Sequence, residues 1–289
     1  MSAILLGLLA ETPVHTGSGR ALGLVDLPVA REAATDYPFI PGSGVKGSLR
    51  DKSEAKFNDD EGQKRVRAAF GDQENAGGLL VTDARLLLLP VRSLSGIYKW
   101  LTCPFLLERF WRDCQRAGLA ATVFESNSLD SEWSQQLAPG KILAQDTEPV
   151  YLEERRFEVA GPVQETWMKA ISKLIHYEQT RKRLHRQLAV VTDEDFGWFA
   201  RFALQIQARN VLDNNKKTSQ NLWYEEALPA DTLMYTLLLT RERDQKREEH
   251  LRLIQDLFDQ DPYLQCGGNE TVGHGWFAVQ LIGMPEGHL

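Results

Sequence analysis

The segment PGSGVKGSLR, residues 41–50, predicts a tight glycine-rich loop that opens a helix. Val45 and Leu49 fall on one face of that helix, as core-facing residues do. Small residues allow a ligand to approach the backbone, and a helix N-terminus favours an anion. Lys46 and Arg50 are four residues apart and therefore share a side of the helix. The segment is interpreted as an anion-binding loop, and a tight loop with solvated charges is the alternative.

The three glycines of this loop formally spell GxGxxG, the fingerprint of dinucleotide-binding folds. That fingerprint requires a preceding strand and an acidic residue at the end of a second strand about twenty residues later. Here Pro38 and Pro41 precede the loop, and the later Asp59–Asp60 pair lies in a polar, charged stretch. The context therefore argues against a nicotinamide or flavin site.

Outward from the loop, apolar periodicity predicts helices and strands that do not alternate regularly. The predicted helices are 43–57, 63–70, 104–116, 165–177, 195–204 and 243–259. The predicted strands are 3–10, 77–91, 142–143, 149–152, 233–242 and one after residue 275. This mixture predicts an α+β fold. Neither a linker nor a repeat divides residues 1–289, so we expect a single domain with insertions.

The composition is that of an ordinary globular protein, with 43% hydrophobic and 25% charged residues. No apolar run reaches the length that a membrane helix needs. Three widely spaced cysteines without a zinc-ligand spacing indicate reduced thiols and a cytoplasmic protein. The net charge of −7 disfavours a nucleic-acid binder whose whole surface is basic. Basic residues nevertheless cluster locally, so the sequence is compatible with a basic groove on an acidic protein.

Other segments carry polar residues suited to a site. CGGNETVGHGWF, residues 266–277, is a second glycine-rich element that could form the other wall of a groove, with a plain hairpin loop as the alternative. Asp26 could ligate a divalent cation beside bound phosphates, and His15 could transfer protons. For each, a turn aspartate or a backbone-bonded histidine is the structural alternative.

The segment from 208 to 239 predicts a hairpin. Asp213-Asn214-Asn215 is a turn signature followed by Lys216 and Lys217, and the chain returns through Leu222–Tyr224. Glu225 and Glu226 could assist a metal, and the alternative is that they are surface carboxylates.

Together these blocks resemble a known family. The resemblance rests on six stretches: ETPVHTGSG, LGLVDLPVARE, YPFIPGSGVKGSLR, LLVTDARLLLLPVRSLSGIYKWLTCPFLLERFWRD, LWYEEALPADTLMY and CGGNETVGHGWF. They run nearly from end to end. The chain resembles the repeat-associated mysterious protein (RAMP) superfamily of CRISPR systems and, within it, the backbone subunit of type III-B (Cmr) effector complexes.

The resemblance implies a ferredoxin-like (RNA-recognition-motif-like) core with helical insertions and a thumb β-hairpin at about 209–224. It implies copies stacked head to tail in a helical filament along a CRISPR RNA, beside other Cmr subunits and a single-stranded target RNA, without a membrane partner. The guide-gripping positions would be Ser43, Gly44, Lys46 and Arg50. Further RNA-binding candidates are Lys216, Lys217, Gly267, Gly268 and Gly275.

The resemblance also implies an endoribonuclease in which Asp26 cleaves the target RNA with a divalent metal, Mg²⁺ or Mn²⁺, and with the RNA 2′-hydroxyl as nucleophile. His15, Tyr224, Glu225 and Glu226 are further catalytic candidates. One alternative is a structural guide-binding subunit with an inactive Asp26. Another is a stand-alone CRISPR-RNA processing enzyme.

Overall fold

A computed structural model describes residues 3–17, 19, 23–125, 132–213, 216, 218–241 and 245–283. The strands are β1 (Ala3–Ala10), β2 (Phe39–Ile40), β3 (Leu79–Val81), β4 (Ala84–Arg92), β5 (Tyr98–Thr102), β6 (Lys141–Ala144), β7 (Val150–Leu152), β8 (Arg155–Gly161), β9 (Leu188–Val190), β10 (Gln205–Leu212), β11 (Ser219–Ala227), β12 (Leu233–Thr240), β13 (Tyr263–Gln265) and β14 (Trp276–Ile282). The helices are α1 (Gly42–Lys56), α2 (Asp60–Phe70), α3 (Pro104–Arg116), α4 (Ala120–Phe124), α5 (Glu165–Ser172), α6 (Glu178–Gln187), α7 (Asp193–Phe202) and α8 (Arg247–Phe258). Strands and helices are interspersed, so the mixed α and β composition expected from the sequence is confirmed.

A 12-stranded mixed sheet forms the body of the molecule. Its order is β13-β14-β1-β12-β4-β5-β9-β6-β8-β7, with β2 paired to β4 and β3 paired to β12. β14, β1, β12 and β4 are consecutive in the sheet, and each is antiparallel to its neighbours in this group. Helices α1 and α2 connect β1 to β4, and α8 lies between β12 and β14 in the chain. The central strand β1 therefore organises one half of the sheet.

Strand β1 is apolar throughout because both faces of the sheet are covered. Its residues alternate between two hydrophobic clusters: Ile4, Leu6 and Leu8 belong to one, and Leu5 and Leu9 to the other. A run buried on both sides reads as continuous hydrophobicity rather than alternation.

The structure contains elements that were not predicted, including β5, β8, β9, α4 and α6, and it changes two that were. The strand predicted at 77–91 is broken between β3 and β4, because Asp83 turns to accept a hydrogen bond from the Gly42 N–H at 2.7 Å. The helix predicted at 165–177 ends at Ser172, and the separate helix α6 follows it. Helix α6 is strongly charged and buries only Thr180 and Leu184, so apolar periodicity gave no sign of it.

β10 and β11 form a separate two-stranded antiparallel sheet, in which Gln205 pairs with Ala227 and Val211 with Asn221. Lys216 is exposed in its turn, where its N–H donates to the Asp213 carboxylate at 2.7 Å, and Lys217 lies outside the described residues. In the described part of the chain, no helix has the length and apolarity required to cross a bilayer.

Candidate functional site

Three segments far apart in the chain meet at the base of the β10–β11 hairpin. Val14 exchanges backbone hydrogen bonds with Leu228 at 2.9 Å in both directions. The Gly268 N–H donates to the His15 carbonyl at 2.9 Å, and Leu27 is bridged to Glu225. The segments 13–29, 205–228 and 266–276 are thus joined by their backbones.

Asp26 is exposed and is anchored to strand β11 by three hydrogen bonds. Its Oδ2 accepts from the Tyr224 N–H at 2.8 Å. The N–H groups of Asp26 and Leu27 both donate to the Tyr224 carbonyl at 3.1 Å. The carboxylate therefore has a fixed position, and among the described residues no hydrogen bond is made to its other oxygen.

Asp26 lies at the edge of a cavity of about 360 Å³. The cavity is lined by Asp26, Leu27, Asn221, Leu222, Trp223, Glu225 and Asn269. The Tyr224 backbone holds Asp26, whereas its side chain is 43% exposed.

Glu225 is a buried member of this cavity wall. The Asn269 amide donates to its Oε1, and Arg209 Nε lies 3.7 Å from its Oε2. His15 Nδ1 is 3.7 Å from Oε1. The carboxylate is therefore surrounded by donors from all three segments and ties them together.

Glu226 does not line the cavity. Adjacent residues on a strand point to opposite faces. On its own face, Glu226 accepts from Arg31 Nη2 at 2.7 Å and from the Val29 N–H at 3.1 Å. This buried ion pair holds the segment after Asp26 against the hairpin.

The His15 ring is buried, and its Nδ1 lies 2.7 Å from the Glu226 carbonyl oxygen. Because a carbonyl only accepts hydrogen bonds, Nδ1 is the donor in this contact. Nε2 faces Gly17, whose Cβ, if present, would lie 2.8 Å from it. The second ring nitrogen of His15 therefore lies beside Gly17, nine residues before Asp26.

The glycines of segment 266–277 are explained first by packing within the chain. Gly267 has φ +105°, and a Cβ there would lie 2.7 Å from the His15 carbonyl oxygen. Gly275 is buried, and its N–H donates to the Pro13 carbonyl at 2.9 Å. Gly268 is exposed, with a Cβ position 3.4 Å from His15 Cδ2. The bare backbone thus allows this segment to lie directly on residues 13–15.

The start of helix α1 is a separate surface. The Gly44 N–H donates to the Pro41 carbonyl at 2.8 Å, and Asp83 takes the Gly42 N–H. The N–H groups of Gly42 and Gly44 are therefore already paired within the chain and are not available to an anion. Ser43 and Gly44 are exposed, so the hydroxyl of Ser43 and nearby cations are the remaining anion-binding groups.

Two cations lie near this helix start. Lys46 Nζ lies 3.5 Å from the Leu79 carbonyl oxygen. Burial and the charges of Arg241 and Arg50 lower the pKa of Lys46. Arg50 is paired with Glu54 at 2.7 Å. The crowding of Lys46 by other cations is typical of a surface that receives a polyanion.

Sequence reasoning did not assign a role to three polar residues here: Asn269, which lines the cavity, and Arg209 and His274, which lie behind Glu225. Arg209 Nη2 lies 3.5 Å from His274 Nδ1. The pairing of Arg209 with Trp223 across the hairpin could have placed the arginine on the cavity side. No local signal marks Asn269 or His274, because their partners lie far away in the chain.

A divalent metal is implied by the resemblance. In the described residues, no group of three or more His, Cys, Asp or Glu side chains is arranged to hold an ion. Mg²⁺ is commonly bound through one or two carboxylates together with substrate oxygens and water. A single exposed carboxylate at Asp26 fits that mode of binding.

Comparison with known proteins finds relatives over nearly the whole chain. A model of the RAMP superfamily matches residues 8–278. The chain is 35% identical over 293 residues to the CRISPR system Cmr endoribonuclease Cmr4 of Pyrococcus furiosus, covering 97% of this chain and 96% of that protein.

Two solved structures extend the comparison. The crystal structure of oligomeric Cmr4 from Pyrococcus furiosus has a TM-score of 0.74 at 30% identity, covering 97% of this chain and 98% of that one. The cryo-EM structure of the type III-B Cmr-beta bound to cognate target RNA shares the fold, with a TM-score of 0.76 at 21% identity and 97% coverage of both chains. The chain belongs to the RAMP superfamily and, within it, to the Cmr4 proteins of CRISPR systems.

Proposed function

We propose that this chain is an RNA-guided endoribonuclease subunit that binds a CRISPR RNA and cleaves a complementary target RNA. The observation that carries the proposal is the exposed Asp26 carboxylate, which the Tyr224 N–H fixes beside a cavity. The identity to an endoribonuclease over nearly its whole length supports the reaction class.

The reaction is a transesterification within the target strand. The 2′-oxygen forms a bond to phosphorus, the bond from phosphorus to the 5′-oxygen breaks, and the products are a 2′,3′-cyclic phosphate and a 5′-hydroxyl. The proton leaves the 2′-hydroxyl, and one is delivered to the 5′-oxygen. His15 Nε2 is the proposed proton acceptor, since its ring is held through Nδ1.

Asp26 is the residue that would hold Mg²⁺ or Mn²⁺. When bound, such an ion polarises a phosphoryl oxygen. Tyr224 contributes the N–H that orients Asp26, and Glu225 orients the donors around the cavity. Glu226 stabilises this wall of the site through Arg31.

The fold assignment underlying this proposal is a ferredoxin-like core. The strand order β14-β1-β12-β4 and the helices between β1 and β4 and between β12 and β14 support it, because a βαββαβ unit has this arrangement. The β10–β11 hairpin is the proposed thumb, and its exposed apolar side chains are suited to wedging into a duplex: Ile206, Val211, Leu212 and Leu222.

We place guide binding on Ser43, Gly44, Lys46 and Arg50, away from the cleavage chemistry. Further candidates for RNA contact are the exposed residues Lys216, Gly267 and Gly268. Lys217 is a candidate on the sequence alone. Gly275 is buried and would contribute by shaping the loop through its hydrogen bond to Pro13. The existence of an oligomeric relative supports stacking of copies along the guide. Other Cmr subunits are the proposed neighbours.

The rival function is a structural guide-binding subunit. Asp26→Asn in the reconstituted complex separates the two, with cutting and binding of a complementary RNA as readouts. We expect cutting to be lost while target binding is retained, because the amide keeps the shape and loses the charge. Unchanged cutting would refute catalysis by Asp26. A stand-alone processing enzyme would cut repeat RNA without a complex, and we expect no such cutting.

A further inference from the structure

Two buried donors at the cleavage cavity have no hydrogen-bond partner among the described residues. They are Arg209 Nε and the indole Nε1 of Trp223. Buried polar groups are normally paired, so each exception calls for an explanation such as a missing ligand. Both donors belong to the same cross-strand pair, because Arg209 lies opposite Trp223 in the hairpin.

That pair faces the cavity. Residues directly opposite each other in an antiparallel pair project to the same face. Trp223 and Glu225 line the cavity, and Arg209 Nε lies 3.7 Å from Glu225 Oε2. The unpartnered donors therefore lie on the side that Asp26 borders.

Arg209 is held loosely in the present conformation. Its contacts of 3.7 Å to Glu225 and 3.5 Å to His274 are both longer than a good charge-assisted hydrogen bond. Its side chain is 24% exposed, whereas that of Glu225 is 5% exposed. The guanidinium can therefore turn toward the cavity without breaking a strong hydrogen bond.

His274 favours this movement. Burial and the charge of Arg209 lower the pKa of His274. The lowered pKa favours the uncharged imidazole beside Arg209. Its backbone N–H donates to the Asn269 carbonyl at 3.2 Å, which fixes this side of the cavity.

We propose that Arg209 binds the scissile phosphate of the target RNA. Its guanidinium turns from Glu225 to a non-bridging oxygen beside Asp26, and the Trp223 indole N–H donates to the same phosphate. The guanidinium then stabilises the negative charge that grows on the phosphate as the 2′-oxygen attacks. Arginine suits this role because its planar donors match phosphate geometry. The inference rests on the proposed function, since it deepens the same site.

The test uses the assembled complex with guide and a target that carries one phosphorothioate, as the separate Rp and Sp diastereomers, at the scissile position. Arg209→Ala and Arg209→Lys are compared with the natural chain and with Arg201→Ala, a control on α7 whose arginine pairs with Asp36 at the surface. Single-turnover cleavage gives the rate. Target affinity is measured in an Asp26→Asn background.

We expect Arg209→Ala to slow cleavage about 100- to 1,000-fold, the range found for the loss of one preorganised donor, and to change target affinity less than about threefold. The natural chain should cleave the two diastereomers at different rates, and Arg209→Ala should change the ratio of the two rates. Arg209→Lys should retain part of the natural cleavage rate and part of the natural discrimination between the diastereomers. Arg201→Ala should behave like the natural chain.

A purely structural arginine would give a different pattern. If Arg209 only holds Glu225, Arg209→Ala would leave the ratio of the two rates unchanged, and Glu225→Gln would slow cleavage as much as Arg209→Ala does. That result would overturn the proposal. Cleavage by Arg209→Ala at the natural rate would overturn it as well. If Arg209→Ala fails to assemble, Arg209→Lys gives the same comparison. Undiminished cutting by Asp26→Asn would instead refute the proposed function, so the two failures are distinguishable.

Discussion

The Asp26 carboxylate accepts a hydrogen bond from the Tyr224 N–H at 2.8 Å across 198 positions of the chain. The bond restricts the carboxylate to one orientation at the edge of the cavity. The position of this carboxylate and its charge can therefore be changed separately by substitution.

Asp26→Glu tests position, because it keeps the charge and adds one methylene. The longer side chain cannot both accept the Tyr224 N–H and leave its second oxygen in the same place. We expect cleavage to slow about 100-fold, as a displacement of about 1 Å can produce, with target binding unchanged. Single-turnover rates measure this, and a glutamate enzyme as fast as the natural one would show that the anchoring bond is irrelevant.

The Arg31–Glu226 ion pair should contribute to stability. Because its side chains are only 16% and 8% exposed, removal of either partner leaves an uncompensated buried charge. Arg31→Ala and Glu226→Ala should each lower the free energy of unfolding by about 3 kcal/mol. In the double variant the loss should be smaller than the sum, which urea denaturation can measure. Strict additivity would contradict a direct interaction.

Lys46→Ala should weaken guide binding equally for guides of different sequence. Loss of one phosphate contact on a single strand should reduce the slope of log affinity against log salt by about 0.7. Affinity titrations at several salt concentrations give this slope. The control is Lys182→Ala, since Lys182 pairs with Glu178 on α6. An unchanged slope for Lys46→Ala would remove Lys46 from the guide surface.

Alanine substitutions at Gly267 and Gly268 distinguish a glycine needed for packing from one that is available for RNA contact. An alanine at position 267 would have a left-handed φ and a Cβ too close to the His15 carbonyl oxygen. Gly267→Ala should therefore destabilise the fold by about 1–3 kcal/mol. Gly268→Ala meets only an ordinary contact and should stay within about 0.5 kcal/mol. Thermal unfolding tests this difference. Equal stability of the two variants would mean that close packing on His15 does not require the glycine.

Replacement of residues 212–220 by a two-residue Asn-Gly turn tests the proposed thumb. The variant keeps the base of the hairpin, where Glu225 and Asp26 are bound, and removes the tip. Guide binding should persist, whereas the positions of target cleavage should shift or blur. Sequencing-gel mapping of the products measures this. Equal cleavage at unchanged positions would show that the tip does not define the cut sites.

Local patterns predicted β1, α1 and α3, because continuous hydrophobicity and helical periodicity are properties of residues close together in the chain. They could not predict the break at Asp83, since its cause is a hydrogen bond to Gly42, 41 positions earlier.

The same limit applies to the site. Residue types and resemblance identified Asp26 and His15 as candidates but could not say which of Glu225 and Glu226 faces the cavity. Strand alternation separates these two glutamates, yet only the contacts with Arg31 and Asn269 show which side each occupies. Arg209 and His274 were missed because their proximity is created entirely by tertiary structure.

The joining of segments 13–29, 205–228 and 266–276 has a consequence for protein synthesis. A ribosome makes His15 and Asp26 early, but the loop that packs on His15 is made last of the three. Until residue 269 has left the ribosome, the cavity lacks the wall that Asn269 supplies. The order of the segments thus makes the cavity form only after both strands of the β10–β11 hairpin have been synthesised.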